Sequence, residues 1–573
     1  MNKHRGFLAS VSLALVCVSG AVAQWDPPSG YYASATGVGA TLRNQIHEII
    51  DTNWWSPGSG SHAVRSYSNA ILALFLLHRD PSNANNLILI YTGVSVPGAW
   101  DSGATWNREH TWPDSRGLGG SGMDYTDLHQ LRPCNPSVNG SRGNDPFGVG
   151  GGSYWDPQPS TNPSLGPGSY VPGTNDRGEM ARAMMYMDVR YDGGDSGTVD
   201  LVLVNGFPAG NQMGDLAQLL EWHYTDPVND TERLRNHLVF SNTDNPSYFQ
   251  GNRNPFVDRP EFVWALWGTS PNDSQLSVAA PAGSGASNAN VNLRVIAGTA
   301  DAAAVTLSKT GSTPTTYNAT MTGSGVSVTG LGSGKAFTYG AGSSVLWVTP
   351  TSVATPSVSN AVVTIDNTDL TSSGAGRGSA DANDTITITS SVLSASNPSW
   401  QTGSDVNSGL VTSAAEAGSG VVAVSVPLYN FGWSATRALM EIDGVSGGAA
   451  GFGTPGFDSG LVGAGSAMVS LSFDTTGATA GVYSASYTVM TSDEDVPGET
   501  ASSVMLTWEV TVSAAPVPCD GDANGDGFVN FADITSVLAD LGGTGPVGDA
   551  NGDGMVNFSD ITSVLGNLGL ACE

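Results

Sequence analysis

Basic side chains are scarce in this sequence. Against 51 aspartates and glutamates stand 21 lysines and arginines, a formal net charge of −30. A chain so acidic does not hold a polyanion by broad attraction, so any phosphate contact has to be local. Lysine is absent between Gln24 and Thr269. The basic groups there are arginines, planar forks that grip phosphate bidentately, although compositional bias accounts for the same pattern. Cysteine is nearly as rare. Cys17 falls in the N-terminal segment, and the other three, Cys134, Cys519 and Cys572, cannot all pair within one chain. Cys519 and Cys572 bracket the last segment as a pair. Cys134 is left over, more a small buried hydrophobe than a nucleophile. Long apolar runs are missing beyond the N-terminus, which excludes a membrane-spanning helix there.

At 573 residues the chain is too long for one core, and three or four domains are expected. "MNKHRGFLASVSLALVCVSGAVAQW" has a basic start, an apolar stretch and a small-residue site, so residues 1–23 read as a secretory signal peptide cleaved after Ala23. Residues 24–271 are rich in Trp, Arg, His, Asn and Pro. "ATLRNQIHEIID" puts Leu42, Ile46, Ile49 and Ile50 on one helical face, and "RGEMARAMMYMDVRY" does the same with Met180, Ala183, Met184 and Met187. "GDLAQLLEWHYTDP" and "NDTERLRNHLVF" are further helices, the second with Asp230 as N-cap, and "NNLILIYTG" is a short buried strand. This is a mixed, mostly helical α+β domain. From residue 272 the composition turns to Ser, Thr, Gly, Ala and Val in short alternating runs. These read as two all-β, Ig-like sandwiches, 272–390 and 391–513, followed by a linker, 514–518, and a last segment, 519–573.

Three stretches of the first domain are too polar for a core: "WNREHTWPDSRG", "DLHQLRPCNPSVNGSRGNDPFG" and "FQGNRNPFVDRPEFV". Each alone is an ordinary surface loop. Together they supply what cutting a phosphodiester requires. A neutral imidazole takes a proton from water near neutral pH. A carboxylate and an amide oxygen hold a hard divalent cation. An arginine neutralises the phosphate. His110, Glu109, Asn139 and Arg142 can fill those roles. His129 reads as a hydrogen-bonded core histidine, with a second catalytic group as the alternative, and His223 reads as structural.

"NREHTWPDSRG", "DLHQLRPCNPSVNGSRGNDPFG", "RGEMARAMMYMDVRY", "LLEWH" and "YFQGNRNPFVDRPEFV" occur in an order that resembles the endonuclease I family of secreted and periplasmic nucleases, over about residues 40–268. The resemblance implies a ββα-metal (His-Me finger) active site with Mg²⁺ or another divalent cation. His110, on the first strand of the finger and oriented by a backbone or side-chain acceptor, would be the general base. Glu109 would be a metal ligand, with a twist or bulge letting it converge with His110 on one cation and one water. Asn139, opening the short helix, would complete the metal site, and Arg142 would contact phosphate. Asn252, Arg253 and Asn254 would line the cleft or brace the finger. Some members carry several disulfides, whereas this domain has only Cys134.

In the last segment, "DANGDGFVNFAD" and "DANGDGMVNFSD" have calcium-loop spacing. Asp522, Asn524, Asp526, the carbonyl of Phe528, Asn530 and Asp533 would hold one Ca²⁺, and Asp549, Asn551, Asp553, the carbonyl of Met555, Asn557 and Asp560 a second. Each loop leads into a helix with no helix before it. The pattern resembles a type I dockerin module, which implies a cohesin-type partner; a calcium-stabilised tail without one is the alternative. The whole reads as a secreted, metal-dependent, nonspecific endonuclease that cuts DNA, and RNA as a further substrate, to 5′-phosphorylated products. One rival is a ribonuclease-biased member of the same family. The other is a surface adhesion or scaffold protein with an inactive nuclease domain and glycan-binding sandwiches.

Overall fold

The helix Arg177–Arg190 is buried on nearly every side. The expected stripe of Met180, Ala183, Met184 and Met187 is inside, and so are Arg182, Asp188 and Arg190. A helix can be buried all round only if its charges are met. Arg182 donates through Nε and Nη2 to the two carboxylate oxygens of Glu232 at 2.6 and 2.7 Å. Asp188 pairs with Arg43, and Arg190 pairs with Asp51 and Asp195. Helices Gly39–Ile50 and Leu216–Thr225 and the short helix Pro255–Asp258 pack against this central rod.

The computed structural model describes residues 25–59, 61–120, 122–148, 153–154, 170–206, 208–278, 285–368, 381–514 and 519–572. The expected signal peptide and most of the expected linker lie outside them. None of the described helices is long and apolar enough to cross a membrane. The chain separates into two compact units, Met1–Leu293 with Ala302–Thr351 and Ser359–Ser390, and Arg294–Asp301 with Ser352–Val358 and Ser391–Glu573.

Local expectations need correction at two places. Asn229, not Asp230, caps the helix Asp230–Phe240. Its backbone is extended and its side chain accepts the Glu232 N–H at 3.0 Å, whereas Asp230 is already helical. The strand expected over "NNLILIYTG" runs Asn83–Ile88 and stops early. Ile90 instead bridges to Cys134, and Tyr91 turns the chain with φ of 69°.

In the first β region one sheet orders Gln275–Val278, Ala303–Thr310, Gly342–Pro350 and Val326–Val328. The other orders Asn288–Ile296, Asp384–Leu393, Ser357–Asn367, Thr315–Gly323 and Gly332–Phe337. Inward residues of both, such as Leu307, Leu346, Val363 and Ile386, share one core. The boundary expected near residue 390 falls inside the strand Asp384–Leu393. In the second β region the sheets hold Pro398–Ser399, Val421–Asn430, Ser466–Asp474 and Gly456–Phe457, and Ser408–Glu416, Ala501–Ser513, Gly481–Asp493 and Met440–Gly447. Ser408–Glu416 pairs in parallel with Ala501–Ser513. In the last segment helices Phe531–Ala539 and Phe558–Gly566 each begin with a capping box. Val529, Val537, Val556 and Val564 form its small core. Cys519 and Cys572 are joined as a disulfide, with Cα atoms 5.6 Å apart.

A buried polar cluster ties the first region together. Asp127 Oδ2 accepts from the Tyr186 and Tyr191 hydroxyls at 2.9 and 2.6 Å, and His62 Nε2 lies 3.8 Å away. Arg190 Nε donates to His62 Nδ1 at 3.1 Å. Burial, with Arg190 adding to it, depresses His62 to about 3, and burial depresses His129 to about 4. Both histidines are therefore neutral in the fold and take up protons first in the unfolded chain. Their stabilisation is complete above the ordinary histidine pKa of 6.5 and drains as pH falls from there toward 4 and 3. Asp176, raised by burial to about 7, binds its proton first in the fold and opposes this slope. The stability advantage of wild type over His62→Gln should accordingly shrink on acidification below pH 6.5, by about 1.4 kcal/mol per pH unit. Denaturant titrations of both proteins at pH 7 and pH 5 measure it, and an unchanged difference would contradict the assignment.

Candidate active site

Strands Asn107–His110 and Leu131–Cys134 form an antiparallel pair, followed at once by the helix Pro136–Arg142. The helix starts where the sequence demands it. Asn135 is extended and its side chain accepts the Ser137 and Val138 N–H groups at 2.9 and 3.3 Å, with Pro136 at the first helical position. The residue that opens this helix is thus Asn135. Asn139 lies one turn further on.

The strand pairing is continuous, from Asn107 opposite Cys134 to His110 opposite Leu131, with no bulge. Neighbouring residues therefore present opposite faces. The expected bulge that would bring Glu109 and His110 together is absent.

Asn107 and Glu109 share one face. Asn139 Nδ2 donates to Asn107 Oδ1 at 2.9 Å and to the Arg108 carbonyl at 3.3 Å, which sets the Asn139 amide along this face. Glu109 is 2 % exposed. Its Oε1 accepts from the Tyr91 hydroxyl at 2.8 Å and lies 3.2 Å from Arg142 Nη1. Burial raises its pKa, against the opposing pull of Arg142 and the Tyr91 hydroxyl. Among the described residues no hydrogen bond engages Glu109 Oε2 or Asn139 Oδ1. Two hard oxygens without a hydrogen-bond partner, one from the strand and one from the helix that follows it, are the donor type a hard divalent cation takes.

Arg142 does not stand where a phosphate contact needs it. It is 1 % exposed, and its Nη1 and Nη2 donate to the carbonyls of His110 and Thr111 at 2.9 and 2.6 Å. It lies 4.9 Å over the Phe147 ring. Its two Nη groups are turned inward, bracing Glu109 and the end of the strand, while its buried Nε has no partner among the described residues.

Arg108 and His110 share the other face. His110 Nε2 donates to the Tyr125 carbonyl at 2.9 Å. A carbonyl only accepts, so this bond keeps the proton on Nε2 and leaves the Nδ1 lone pair available. Burial lowers the His110 pKa, which favours the neutral ring. The imidazole is stacked on Tyr67 at 5.6 Å and lies 4.4 Å from the Tyr125 ring. The turn that supplies the Tyr125 carbonyl is itself held. Gln130 Nε2 donates to the Asp124 carbonyl at 2.9 Å, and the Gln130 carbonyl accepts from Thr111 Oγ1 at 2.8 Å.

His129 Nε2 bonds the Asn252 carbonyl at 3.3 Å and His223 Nε2 the Pro260 carbonyl at 3.1 Å, both deep in the core. Asn252, Arg253 and Asn254 are buried as well. Asn252 donates to the Ile50 carbonyl at 2.8 Å, Arg253 forks onto Asp258 at 2.7 Å, and Asn254 caps the short helix behind it. They brace the domain and do not line a cleft. Tyr67, Tyr91, Tyr125 and Gln130 complete the site without having been singled out in the sequence. Tyr125 acts through its backbone, and the other three are brought in by distant or irregular segments.

The Endonuclease I family model matches residues 39–261. An extracellular ribonuclease of Bacillus amyloliquefaciens is 38 % identical over 243 residues, covering 41 % of this chain and 78 % of that protein. An extracellular ribonuclease of Bacillus subtilis (strain 168) is 36 % identical over 266 residues, covering 44 % of this chain and 84 % of that protein. The chain belongs to the endonuclease I family. The matched region contains the strand pair, the short helix and the buried arginines described above. In this endonuclease I region the bracing role of Arg142 has a direct consequence. Arg142→Ala strands the buried Glu109 carboxylate and should cost about 3 kcal/mol or more of stability. Because no phosphate partner is lost, the salt dependence of nucleic-acid binding should stay as in wild type. Thermal unfolding and a salt titration check the two halves, and a flattened salt slope at unchanged stability would restore Arg142 to the phosphate.

Proposed function

We propose that the chain is a secreted, metal-dependent endonuclease that hydrolyses phosphodiesters of RNA and DNA without reading sequence. The observation that carries this is His110 in a nuclease family, its Nε2 proton fixed on the Tyr125 carbonyl and its Nδ1 open, with Glu109 beside it in the strand and Asn139 in the helix that follows. Secretion is supported by the leader-like residues 1–23 and by relatives named extracellular.

Glu109 Oε2 and Asn139 Oδ1 would hold the cation, with Mg²⁺ as the first candidate. When bound, such a cation supplies electrostatic stabilisation of the charge that develops on the phosphate and on the departing oxygen. His110 Nδ1 takes a proton from water as the water oxygen attacks phosphorus. The P–O3′ bond breaks, the 3′ oxygen leaves and takes a proton from solvent, His110 returns its proton to solvent, and the product keeps a 5′ phosphate. Tyr125 holds the tautomer that makes Nδ1 basic. Arg142 and Tyr91 fix the Glu109 carboxylate. Nothing in this route uses a 2′ hydroxyl, so DNA and RNA both fit. The relatives' ribonuclease names favour RNA within that pair. The scaffold reading has no family match of this kind behind it.

His110→Ala should lower single-turnover cleavage about 10²- to 10⁴-fold with folding intact. Glu109→Ala and Asn139→Ala should shift the cation titration to higher concentration. Cleavage of plasmid and of RNA, with and without EDTA, decides the matter. Full cleavage in EDTA, or a wild-type rate for His110→Ala, would sink the mechanism.

We further propose that the tail binds two Ca²⁺ ions. Carboxylate oxygens of Asp522, Asp526 and Asp533 lie within 4.8 Å of one another. The loops are shaped alike: Asp522 Oδ2 accepts from Gly527 N at 2.9 Å, and Asp549 Oδ2 from Gly554 N at 2.8 Å. Oxygen donors alone at this spacing suit calcium. Phe531 and Phe558, equivalent in the two helices, are 71 % and 74 % exposed, which supports a docking role with a cohesin-type partner. Nine acidic side chains and no basic one lie between Cys519 and Glu573, so the ions would relieve repulsion as the tail folds. Calorimetry of the full chain should give two calcium sites, reduced to one by Asp522→Ala or Asp549→Ala. No calcium heat, or unchanged stoichiometry in both variants, would refute it.

A further inference from the structure

Arginines of the nuclease region are largely spent on carboxylates. Arg132, Arg142, Arg182 and Arg253 face one at 2.6 to 3.2 Å. Arg108 has no carboxylate partner among the described residues, which is also true of Arg65, Arg79, Arg116, Arg177 and Arg235; of these it alone lies on the strand of His110, and it is only half-buried. Its guanidinium carbon lies 3.5 Å from the Tyr67 ring centroid and 5.4 Å from that of Trp100. Its Nη1 donates to the Tyr67 carbonyl. Those contacts fix the plane of the fork, and no hydrogen bond among the described residues engages Nε or Nη2. His110 is two positions along the strand, on the same face, and is stacked on the same Tyr67 ring. A cation is thus held rigid and unneutralised beside the imidazole that carries the proposed chemistry. Holding it so, without an anion, lowers the ordering cost of binding one.

We propose that Arg108, and not Arg142, is the residue that binds the substrate phosphate, gripping oxygens of a phosphodiester through Nε and Nη2 from the platform of Tyr67 and Trp100. The assignment rests on the nuclease reading and adds to it the group that offsets the substrate's charge in an acidic protein. The ligand is a nucleic-acid strand recognised through its backbone, with no base read.

The test is binding of a fluorescent single-stranded oligonucleotide to the full chain in EDTA, where metal-dependent cleavage is arrested. Arg108→Gln should weaken binding about 10- to 100-fold, as loss of a charge-assisted pair does. The log–log salt slope should shrink by about 0.7, one phosphate on a single strand. Arg108→Lys keeps the charge but loses the fork, so it should retain the slope and recover part of the affinity. A folded Arg108→Gln with wild-type affinity and slope overturns the proposal. If Arg108→Gln does not fold, wild-type affinity in Arg108→Lys overturns it, and reduced affinity at the wild-type slope supports it. Wild-type protein that binds but does not cut with Mg²⁺ removes the functional reading and leaves Arg108 as the phosphate contact. Wild-type protein that neither binds nor cuts removes both.

Discussion

The site depends on one buried guanidinium. Arg142 reaches from the last turn of a short helix to the Glu109 carboxylate and to the carbonyls of His110 and Thr111. Three acceptors from the end of one strand are thereby locked to the following helix. A carboxylate as buried as Glu109 would otherwise protonate, and its burial does push its pKa upward. The same contacts engage only Oε1, and among the described residues no hydrogen bond engages Glu109 Oε2. One interaction therefore fixes the strand end and keeps a carboxylate in a dry place.

The same device recurs around the central helix Arg177–Arg190, where Arg182, Asp188 and Arg190 are each met by an opposite charge. Buried pairs of this kind add little net stability compared with apolar packing, but breaking one is costly. They act as registration points. The cluster of His62, Asp127, Tyr186 and Tyr191 serves likewise, anchoring the segment that carries the Tyr125 carbonyl to the helix. The orientation of His110 is therefore decided by residues far from it in sequence.

The strand pair divides labour by pleat. One face carries the Glu109 carboxylate and Asn107, which Asn139 meets from the following helix. The other carries nitrogen groups, from His110 and Arg108, stacked on Tyr67. An unbulged strand does this without strain, because alternation alone separates the two sets. Acidic composition outside the site does not weaken it, since the charges that matter are local and desolvated.

The sequence by itself determined the composition break near residue 272, the helices Gly39–Ile50 and Arg177–Arg190, the alternating strands, the loop-helix repeats of the tail and the family, because each is a short-range pattern. Periodicity and turn chemistry are local, and the blocks around Glu109, His110 and Asn139 are contiguous. Tertiary structure alone decided which polar residues face solvent. Arg142 looks like a phosphate contact in sequence, and Asn252, Arg253 and Asn254 look like cleft or bracing residues; all four are buried braces in the fold, because inward carbonyls and carboxylates can take up most of a polar side chain's hydrogen bonds in place of water. Tyr91 and Tyr125 were invisible for the converse reason. One acts through a hydroxyl delivered by a positive φ and the other through a backbone carbonyl, and neither leaves a pattern along the chain. The helix cap moved from Asp230 to Asn229 because capping is settled by one backbone angle, which residue type only biases.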